Sequence, residues 1–216
     1  MKAVIFDMDG VLVDSEPKNL EQLKLFMESY DIVVEDAFLT SLVGASYSKT
    51  CNDCTSYMKK DWTNEQFLTY FNDFIKHHPY RFRDIQNPHV KKILQWLRAN
   101  GYKTAVASSS LLTLIDEMEE DLELVGLFDT KVSGEMFEES KPHPDIYLHT
   151  AKALCVTPEE CVAVEDSEYG IEAALRAGMQ VLAYRDERYG VNQSKATAMI
   201  NDLEGVVDWL EKQASK

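Results

Sequence analysis

Residues 3–10 read A-V-I-F-D-M-D-G, and this stretch decides the fold prediction. The apolar run Ala3–Phe6 predicts a strand, and it ends directly in two aspartates and a glycine. Gly10 favours a tight loop after the strand, because glycine adopts turn conformations that other residues resist. The segment therefore predicts a strand that delivers two carboxylates, Asp7 and Asp9, into a loop.

From about residue 89 onward, strands and helices alternate along the chain. The predicted strands are Thr104–Ala107, a short stretch near Lys131–Ser133, Cys161–Val164 and Gln180–Tyr184, with helices between them. This alternation is typical of parallel βαβ units, which form an open sheet covered by helices on both faces. The predicted fold class is α/β.

Residues 17–84 show a different pattern. Apolar residues such as Leu20, Leu23 and Phe26 recur there at helical spacing, and no convincing strand is present. We therefore predict an α/β core domain made of residues 1–15 and 85–216. A small all-helical domain, residues 16–84, is predicted to be inserted after the first strand.

Composition narrows the classes of function. The chain has 216 residues and a formal net charge of −15, and no basic stripe is visible, so we expect no nucleic-acid partner. No apolar run approaches the length of a membrane span, and we expect no signal peptide before the first strand. We expect a cytoplasmic protein, a monomer or weak homodimer that makes no membrane contact.

The four cysteines include a lone C-x-x-C formed by Cys51 and Cys54. Metal or redox use would be expected to come with a second pair or a flanking βαβ pattern, and neither is present. We therefore interpret the two cysteines as half-buried residues of a helix, with free thiols.

Open α/β sheets bind ligands at the carboxyl ends of their strands. In this chain, polar residues follow each of the first four predicted strands. They are Asp7 and Asp9 after the first strand, Ser108–Ser110 after the second, Lys141 after the third and Glu165-Asp166 after the fourth. Since the carboxyl ends of parallel strands share one edge, the fold is expected to bring these segments together.

Such a cluster suits phosphoryl transfer. Four crowded carboxylates repel one another unless a cation lies among them, and hard oxygen ligands favour Mg²⁺. Lys141 adds a positive charge, and serine hydroxyls and loop N–H groups can donate to phosphate oxygens. Of two neighbouring aspartates, one can attack phosphorus while the other transfers protons.

Each motif also has a simpler explanation. Asp7 and Asp9 could be turn formers beside Gly10, and the serines could form an ordinary turn with helix-capping hydroxyls. Lys141 could be a solvated loop residue, and Glu165-Asp166 could merely cap the helix that follows. The ordered occurrence of all four motifs favours the site.

The four motifs resemble those of the haloacid dehalogenase (HAD) superfamily. D-M-D-G-V-L-V-D-S from Asp7 is similar to its first motif, Ser108 to its second, S-K-P-H-P-D around Lys141 to its third and V-E-D-S from Val164 to its fourth. The β-phosphoglucomutase-like branch, which carries a helical cap after the first motif, is the nearest likeness. The resemblance implies a Rossmann-like HAD core with a cap domain.

The resemblance also implies a role for each matching residue. Asp7 corresponds to the nucleophile and a metal ligand, and Asp9 to the general acid/base, whose backbone carbonyl contacts the metal. Ser108 and the N–H of Ser109 correspond to the phosphate anchor, and Lys141 to the cation that bridges nucleophile and phosphate. In the fourth motif, Asp166 corresponds to a direct Mg²⁺ ligand and Glu165 to an outer or water-mediated ligand.

Candidate substrate contacts in the cap are less well defined. The family places a substrate-specificity loop where this chain has Gly44-Ala45-Ser46-Tyr47, and we expect Gly44, Ser46 and Tyr47 to face the substrate. The further candidates His77, His78 and Arg81 could contact phosphate or hydroxyl groups, or could simply be solvated.

Three functions are compatible with these residues. A mutase of this branch keeps a lysine and an arginine around the specificity loop, but residues 43–47 read V-G-A-S-Y and contain neither. It also has a histidine after the first motif where Asn19 falls. We therefore expect a Mg²⁺-dependent phosphatase that acts on a small, sugar-phosphate-like metabolite, with the mutase as the alternative. A non-catalytic phospho-acceptor receiver is a further alternative, but a receiver needs no lid.

Overall fold

The computed structural model describes residues 1–43 and 47–215. The chain forms two compact units, one made of Met1–Asp14 with Phe82–Lys216 and the other of Ser15–Arg81. The first unit contains the sheet, and the regular elements in the described part of the second are all helices joined by loops.

The sheet of the first unit has six parallel strands in the spatial order β3-β2-β1-β4-β5-β6. In chain order the strands are β1 Ala3–Phe6, β2 Lys103–Ser108, β3 Thr130–Ser133, β4 Cys161–Glu165, β5 Gln180–Tyr184 and β6 Ala198–Ile200. Because β1 lies between β2 and β4, the loop after β1 is flanked by the loops after both neighbours. This order places the first aspartates beside the serine and glutamate motifs.

The described residues also form nine α-helices. They are α1 Glu16–Glu28, α2 Asp36–Thr40, α3 Tyr47–Tyr57 and α4 Asn64–Lys76 in the second unit, and α5 Val90–Ala99, α6 Leu112–Asp121, α7 Asp145–Ala153, α8 Glu168–Arg176 and α9 Glu204–Ala214 in the first.

The core of the first unit explains why these strands form. All four residues of β1 are at most 1% exposed, as expected for a parallel strand covered on both faces. Alanines such as Ala105 and Ala163 leave room for helical side chains, and Tyr147 of α7 and Ile171 of α8 pack in the same cluster. The register pairs Phe6 with Val106 and Val164, which brings the carboxyl ends of β1, β2 and β4 level.

The predicted α/β fold class is confirmed, and the element bounds agree to within a few residues. The main difference is β6, which the sequence prediction missed. This strand has only three residues, Ala-Met-Ile, and an isolated run of that length carries no periodicity. It forms because it pairs with Leu182–Tyr184 at the edge of an existing sheet.

The second unit has its own aromatic core. The ring of Phe26 lies 5.3–5.5 Å from the rings of Phe67, Phe71 and Phe74. Cys51 and Cys54 lie on α3 as free thiols, but both are at most 1% exposed, so the expectation of half-burial was wrong. Both face the apolar cluster of the unit rather than its surface. That this unit acts as a cap domain, with boundaries at 16 and 84, stays a prediction.

Within residues 1–43 and 47–215, no helix has the length and apolar character needed to cross a membrane.

Candidate active site

Three loops at the carboxyl edge of the sheet supply the charged residues of the candidate site. Asp7 follows β1, and its backbone N–H donates to Val164 of β4 at 3.0 Å. Glu165 is the last residue of β4, and Asp166 follows it. Lys141 lies in the loop that precedes α7. Residues separated by more than a hundred positions thus meet at one place.

Lys141 joins two of the carboxylates. Its ammonium nitrogen Nζ lies 2.5 Å from Asp7 Oδ1, 2.6 Å from Glu165 Oε1 and 3.0 Å from the carbonyl oxygen of Ala107. Burial alone would lower the pKa of Lys141, but the charges of Asp7 and Glu165 raise that pKa well above its ordinary value. The lysine is therefore a firmly charged cation inside the protein, and the explanation of a solvated loop residue does not hold.

Asp7, Glu165 and Asp166 form a cluster of acidic groups. Each offers one carboxylate oxygen, and these three oxygens lie within 4.8 Å of one another. Burial, opposed by Lys141 and reinforced by Glu165 and Asp9, raises the pKa of Asp7 to about 8. Burial and then the neighbouring Glu165 and Asp7 also raise the pKa of Asp166 well above its usual range. Lys141 alone therefore does not compensate the negative charge, and the donor set of hard oxygens fits a divalent cation.

Gly10 permits the close approach of this cluster to the first loop. Its φ of +76° lies in the left-handed region, and a Cβ atom there would come 2.1 Å from Asp166 Oδ2. Both conditions disfavour a side chain at this position. The loop after β1 is thus shaped around the Asp166 carboxylate.

Glu165 is completely buried and has donors on both of its oxygens. Tyr147 Oη donates to Oε1 at 2.6 Å, and Ser167 Oγ donates to Oε2 at 3.1 Å. A Cβ atom on Gly170 would lie 1.9 Å from Oε1, so the carboxylate packs against the bare backbone of α8. A buried carboxylate needs such donors, because an unpaired charge in the interior is costly.

The helix-cap explanation for the fourth motif can also be tested. The N-cap of α8 is Ser167, whose Oγ accepts the N–H of Gly170 at 3.0 Å. Ser167 therefore caps the helix, and the carboxylates of Glu165 and Asp166 are directed to the cluster instead.

The serine loop after β2 reaches the second aspartate. Ser110 Oγ donates to Asp9 Oδ2 at 2.7 Å, and the Ser110 N–H donates to Ser108 Oγ at 3.0 Å. Ser133, the last residue of β3, donates from its Oγ to the Ser110 carbonyl at 2.7 Å. Ser108 is buried and Ser109 is exposed. These contacts bring the loop that carries Ser108 and Ser109 beside Asp9.

Sequence reasoning missed two residues that organise the site, Tyr147 and Gln193, and named Ser110 only as part of the serine run. Tyr147 and Ser110 hold Glu165 and Asp9, as described above. Gln193, which is 5% exposed, donates from Nε2 to the carbonyl oxygens of Asp166 at 2.6 Å and Tyr184 at 2.7 Å. Ser110 belongs to the serine run named from the sequence, whereas Tyr147 and Gln193 lie in no motif, so the sequence carried no signal for their roles.

The candidate cap residues lie in the second unit or outside the described residues. Gly44 and Ser46 fall outside the residues that the structure describes. Tyr47 begins α3, but its side chain is likewise outside them. His77 is the exposed C-cap residue of α4, and the ring of His78 stacks on Phe74 with centroids 4.0 Å apart. Their roles toward a substrate stay predictions.

The fold and the acidic site together define a class of hydrolase. The chain belongs to the haloacid dehalogenase-like hydrolase family, whose model matches residues 4–184. This match includes all four motifs and confirms the resemblance inferred from them.

Individual relatives narrow the class further. A "Phosphorylated carbohydrates phosphatase" from Thermotoga maritima is 32% identical over 189 residues, which are 83% of each chain. A "Phosphoglycolate phosphatase" from Aquifex aeolicus is 31% identical over 185 residues, 82% of each chain. A crystal structure from Thermotoga maritima, provisionally named a β-phosphoglucomutase, superposes with a TM-score of 0.81 at 28% identity and covers 98% of this chain and 99% of the other. The predicted enzyme class, a HAD-like phosphoric monoester hydrolase, is confirmed, whereas the roles of individual site residues stay predictions.

Proposed function

We propose that this protein is a Mg²⁺-dependent phosphatase that hydrolyses a small, sugar-phosphate-like metabolite through a phosphorylated Asp7. The observation that carries the proposal is the position of Lys141, whose ammonium lies between Asp7 and Glu165 at 2.5 and 2.6 Å. A buried cation in direct contact with a buried carboxylate orients that carboxylate and can also attract an incoming phosphoryl group.

The acidic cluster supports the choice of metal. Asp7, Asp166 and the backbone carbonyl of Asp9 would hold Mg²⁺, with Glu165 as an outer or water-mediated partner. When bound, the ion would neutralise the negative charge that the carboxylates and the substrate phosphate bring together. The raised pKa values of Asp7 and Asp166 support this assignment, since they reflect carboxylates whose repulsion Lys141 alone does not relieve.

The two aspartates after β1 have different surroundings and are proposed to have different roles. Asp7 is 7% exposed and contacts Lys141, so its oxygen is oriented for attack on phosphorus. The Asp9 carboxyl group accepts a hydrogen bond from Ser110 and, as the protonated acid, would give its proton to the leaving oxygen of the substrate and become a carboxylate. The same group would then take a proton from the water that hydrolyses the aspartyl phosphate.

The serine loop supports phosphate binding. Ser108 is buried at the end of β2 on the strand next to β1, and Ser109 is exposed immediately after it. The hydroxyl of Ser108 and the N–H of Ser109 are proposed to donate to the phosphate oxygens. Together with Lys141 they would create a locally positive potential at the site, although the net charge of the whole chain is −15.

A β-phosphoglucomutase-type mutase is the second candidate, favoured by the name of the Thermotoga structure. A mutase must hold the distal phosphate of a doubly phosphorylated sugar, which requires additional cations. Residues 43–47 contain none. Arg188 lines a cavity of about 300 Å³ beside Gly10, but its guanidinium is already paired with Asp14 and Asp186. These observations favour water as the phosphoryl acceptor.

A phosphate-release screen tests the proposal. The metal-free protein is incubated with a panel of phosphorylated sugars, polyols and nucleotides, with and without Mg²⁺, and glucose 1,6-bisphosphate formation is followed in parallel. We expect Mg²⁺-dependent phosphate release with at least one sugar phosphate. Conversion of glucose 1-phosphate to glucose 6-phosphate without net phosphate release would instead establish the mutase. A single stoichiometric phosphorylation without turnover would establish the receiver.

A further inference from the structure

The phenol of Tyr147 lies beneath the acidic cluster and belongs to no recognised motif. Tyr147 is on α7, its side chain is completely buried, and its hydroxyl lies 2.6 Å from Glu165 Oε1. A buried hydroxyl requires a partner, but here the partner is itself a buried carboxylate of the site. The contact is therefore a charge-assisted hydrogen bond in a region without solvent, where such bonds are strongest.

Tyr147 and Lys141 share one acceptor atom. Both the phenol and the ammonium donate to Oε1 of Glu165, each at 2.6 Å, and the ammonium nitrogen lies 5.1 Å from the centroid of the Tyr147 ring. Ser167 donates to the other oxygen, Oε2. The orientation of the Glu165 carboxylate is thus fixed by donors from three different segments of the chain.

This arrangement affects Asp7 through Lys141. The ammonium is held between Oε1 of Glu165 and Oδ1 of Asp7, so its position depends on where Glu165 places Oε1. Without the phenol, the Oε1 atom would lose a donor and its attraction for Lys141 would increase. The lysine would then be drawn toward Glu165 and away from the nucleophile.

We propose that Tyr147 is a positioning residue of the active site, whose hydroxyl fixes Glu165 so that Lys141 remains shared with Asp7. The proposal rests on the proposed function, since it assigns Tyr147 to the support of the same metal and phosphoryl site. The hydroxyl of Tyr147 donates to Glu165 rather than to Asp7, so it acts through Glu165 and Lys141. Groups in such supporting positions commonly change metal affinity or activity ten- to a hundredfold when they are removed.

A purely structural role is the competing explanation. Tyr147 also packs in the apolar core between the sheet and the helices, together with residues such as Ile146 and Ala151. Phenylalanine would fill the same volume, so packing depends on the ring and positioning depends on the hydroxyl. Tyr147→Phe separates the two roles.

Thr150 offers a matched control on the same helix. It is completely buried, and its Oγ1 donates to the carbonyl oxygen of Ile146 at 2.6 Å, away from the acidic cluster. Thr150→Val removes a buried hydroxyl from α7 without touching the site. Any loss common to both variants is therefore structural.

The experiment measures metal binding and turnover separately. Mn²⁺ binding to the metal-free full-length protein is followed by electron paramagnetic resonance, and kcat and KM are measured with the best substrate of the phosphate-release screen. In Tyr147→Phe we expect Mn²⁺ affinity about ten- to a hundredfold weaker and kcat lowered by a similar factor, with KM nearly unchanged. In Thr150→Val we expect both quantities to match the wild type.

A comparison in the Glu165→Gln background covers the case in which Tyr147→Phe alone does not fold. In Tyr147→Phe the buried charge of Glu165 loses a hydrogen-bond donor, and Glu165→Gln replaces that charge with a neutral amide. The double variant Tyr147→Phe/Glu165→Gln is therefore expected to fold where the single variant does not. If Tyr147 acts through Glu165, adding Tyr147→Phe to Glu165→Gln leaves Mn²⁺ affinity unchanged. A loss of Mn²⁺ affinity on adding Tyr147→Phe to Glu165→Gln would overturn the positioning role.

The outcomes also separate this inference from the proposed function. If the wild type binds Mn²⁺ and releases phosphate, but Tyr147→Phe matches Thr150→Val, the positioning role is wrong and the proposed function stands. If the wild type neither binds Mn²⁺ nor releases phosphate, the proposed function is wrong and the positioning role is overturned with it.

Discussion

Two places in the first unit have the same composition, one cation between two carboxylates, but opposite environments. Lys141 pairs with Asp7 and Glu165, and the three side chains are 8%, 10% and 0% exposed. Arg188 pairs with Asp14 at 2.8 Å and with Asp186 at 2.7 Å, but there the side chains are 48%, 36% and 15% exposed. The two clusters contain the same kinds of charged groups, so burial is the property that distinguishes the candidate active site from a surface ion pair.

The consequences of burial appear in the titration behaviour. Burial raises the pKa of Asp7 to about 8 even though Lys141 opposes the shift. The hydrogen bonds from Arg188 instead lower the pKa of Asp186 below its usual value. The charged form of a partly exposed carboxylate is stabilised by its cation. The charged form of a buried carboxylate also carries a desolvation cost that a single cation does not offset. Only the buried cluster is therefore expected to require a further cation.

The largest expected effect is the loss of turnover in Asp7→Asn. The amide keeps the volume of the side chain but cannot attack phosphorus, so we expect phosphate release to fall by more than about a thousandfold. Steady-state phosphate release with Mg²⁺ present is the measurement, and the circular dichroism spectrum controls for folding. Retention of more than a few per cent of the wild-type rate would remove Asp7 from the nucleophile role.

Lys141→Met should lower the free energy of unfolding strongly, because Lys141 belongs to the buried cluster. Arg188→Met should lower it only slightly, because the cluster of Arg188 is exposed. Removing the lysine leaves buried carboxylates without their cation, a change that costs about 3–5 kcal/mol in comparable sites. Removing the arginine should cost at most about 1 kcal/mol. Urea unfolding of the two metal-free variants at pH 7 compares them directly. Equal losses would mean that burial does not distinguish the two clusters.

Metal should stabilise the protein through the buried cluster. At a Mg²⁺ concentration a hundredfold above its dissociation constant, the free energy of unfolding should rise by about 2.7 kcal/mol, because the ion binds only the folded state. Thermal unfolding with EDTA and then with Mg²⁺ measures the change, and EDTA should also stop phosphate release. Arg188→Met should keep the full stabilisation, whereas Asp166→Asn should lose most of it. An equal response of all three proteins to Mg²⁺ would exclude the proposed metal site.

The smallest expected effect is the pH dependence of the exposed cluster. Since the folded-state pKa of Asp186 is lowered from 3.8, the stability contributed by its contact with Arg188 is fully present above 3.8 and is lost as the pH falls from there through the lowered folded-state pKa. The difference in unfolding free energy between the wild type and Arg188→Met should therefore shrink steadily as the pH falls below 3.8, and it should also shrink at pH 7 in about 1 M salt. A difference that persists under both conditions would show that Arg188 stabilises the protein by packing alone.

Much of the fold and the site could be predicted because both follow from a local pattern and a topological rule. Apolar runs such as Ala3–Phe6 indicate strands, and the carboxyl ends of parallel strands share an edge, so Asp7, Ser108 and Glu165 could be placed together. Tyr147 could not be placed in the same way. Whether its phenol reaches Glu165 depends on the rotation of α7 against the sheet, which sequence spacing does not specify. The short strand β6 escaped prediction because the sheet, and not its own three residues, stabilises it.

Gly170 has a practical consequence for attempts to make this protein more heat-resistant. Replacing glycines inside helices with alanine is a standard engineering strategy, because alanine favours helix by about 1 kcal/mol. Gly170 lies within α8, but its missing methyl group is the space that the Glu165 carboxylate occupies. An alanine scan guided by helix propensity alone would select this position, and the added methyl group would displace the Glu165 carboxylate at a greater cost in stability than the helix gains.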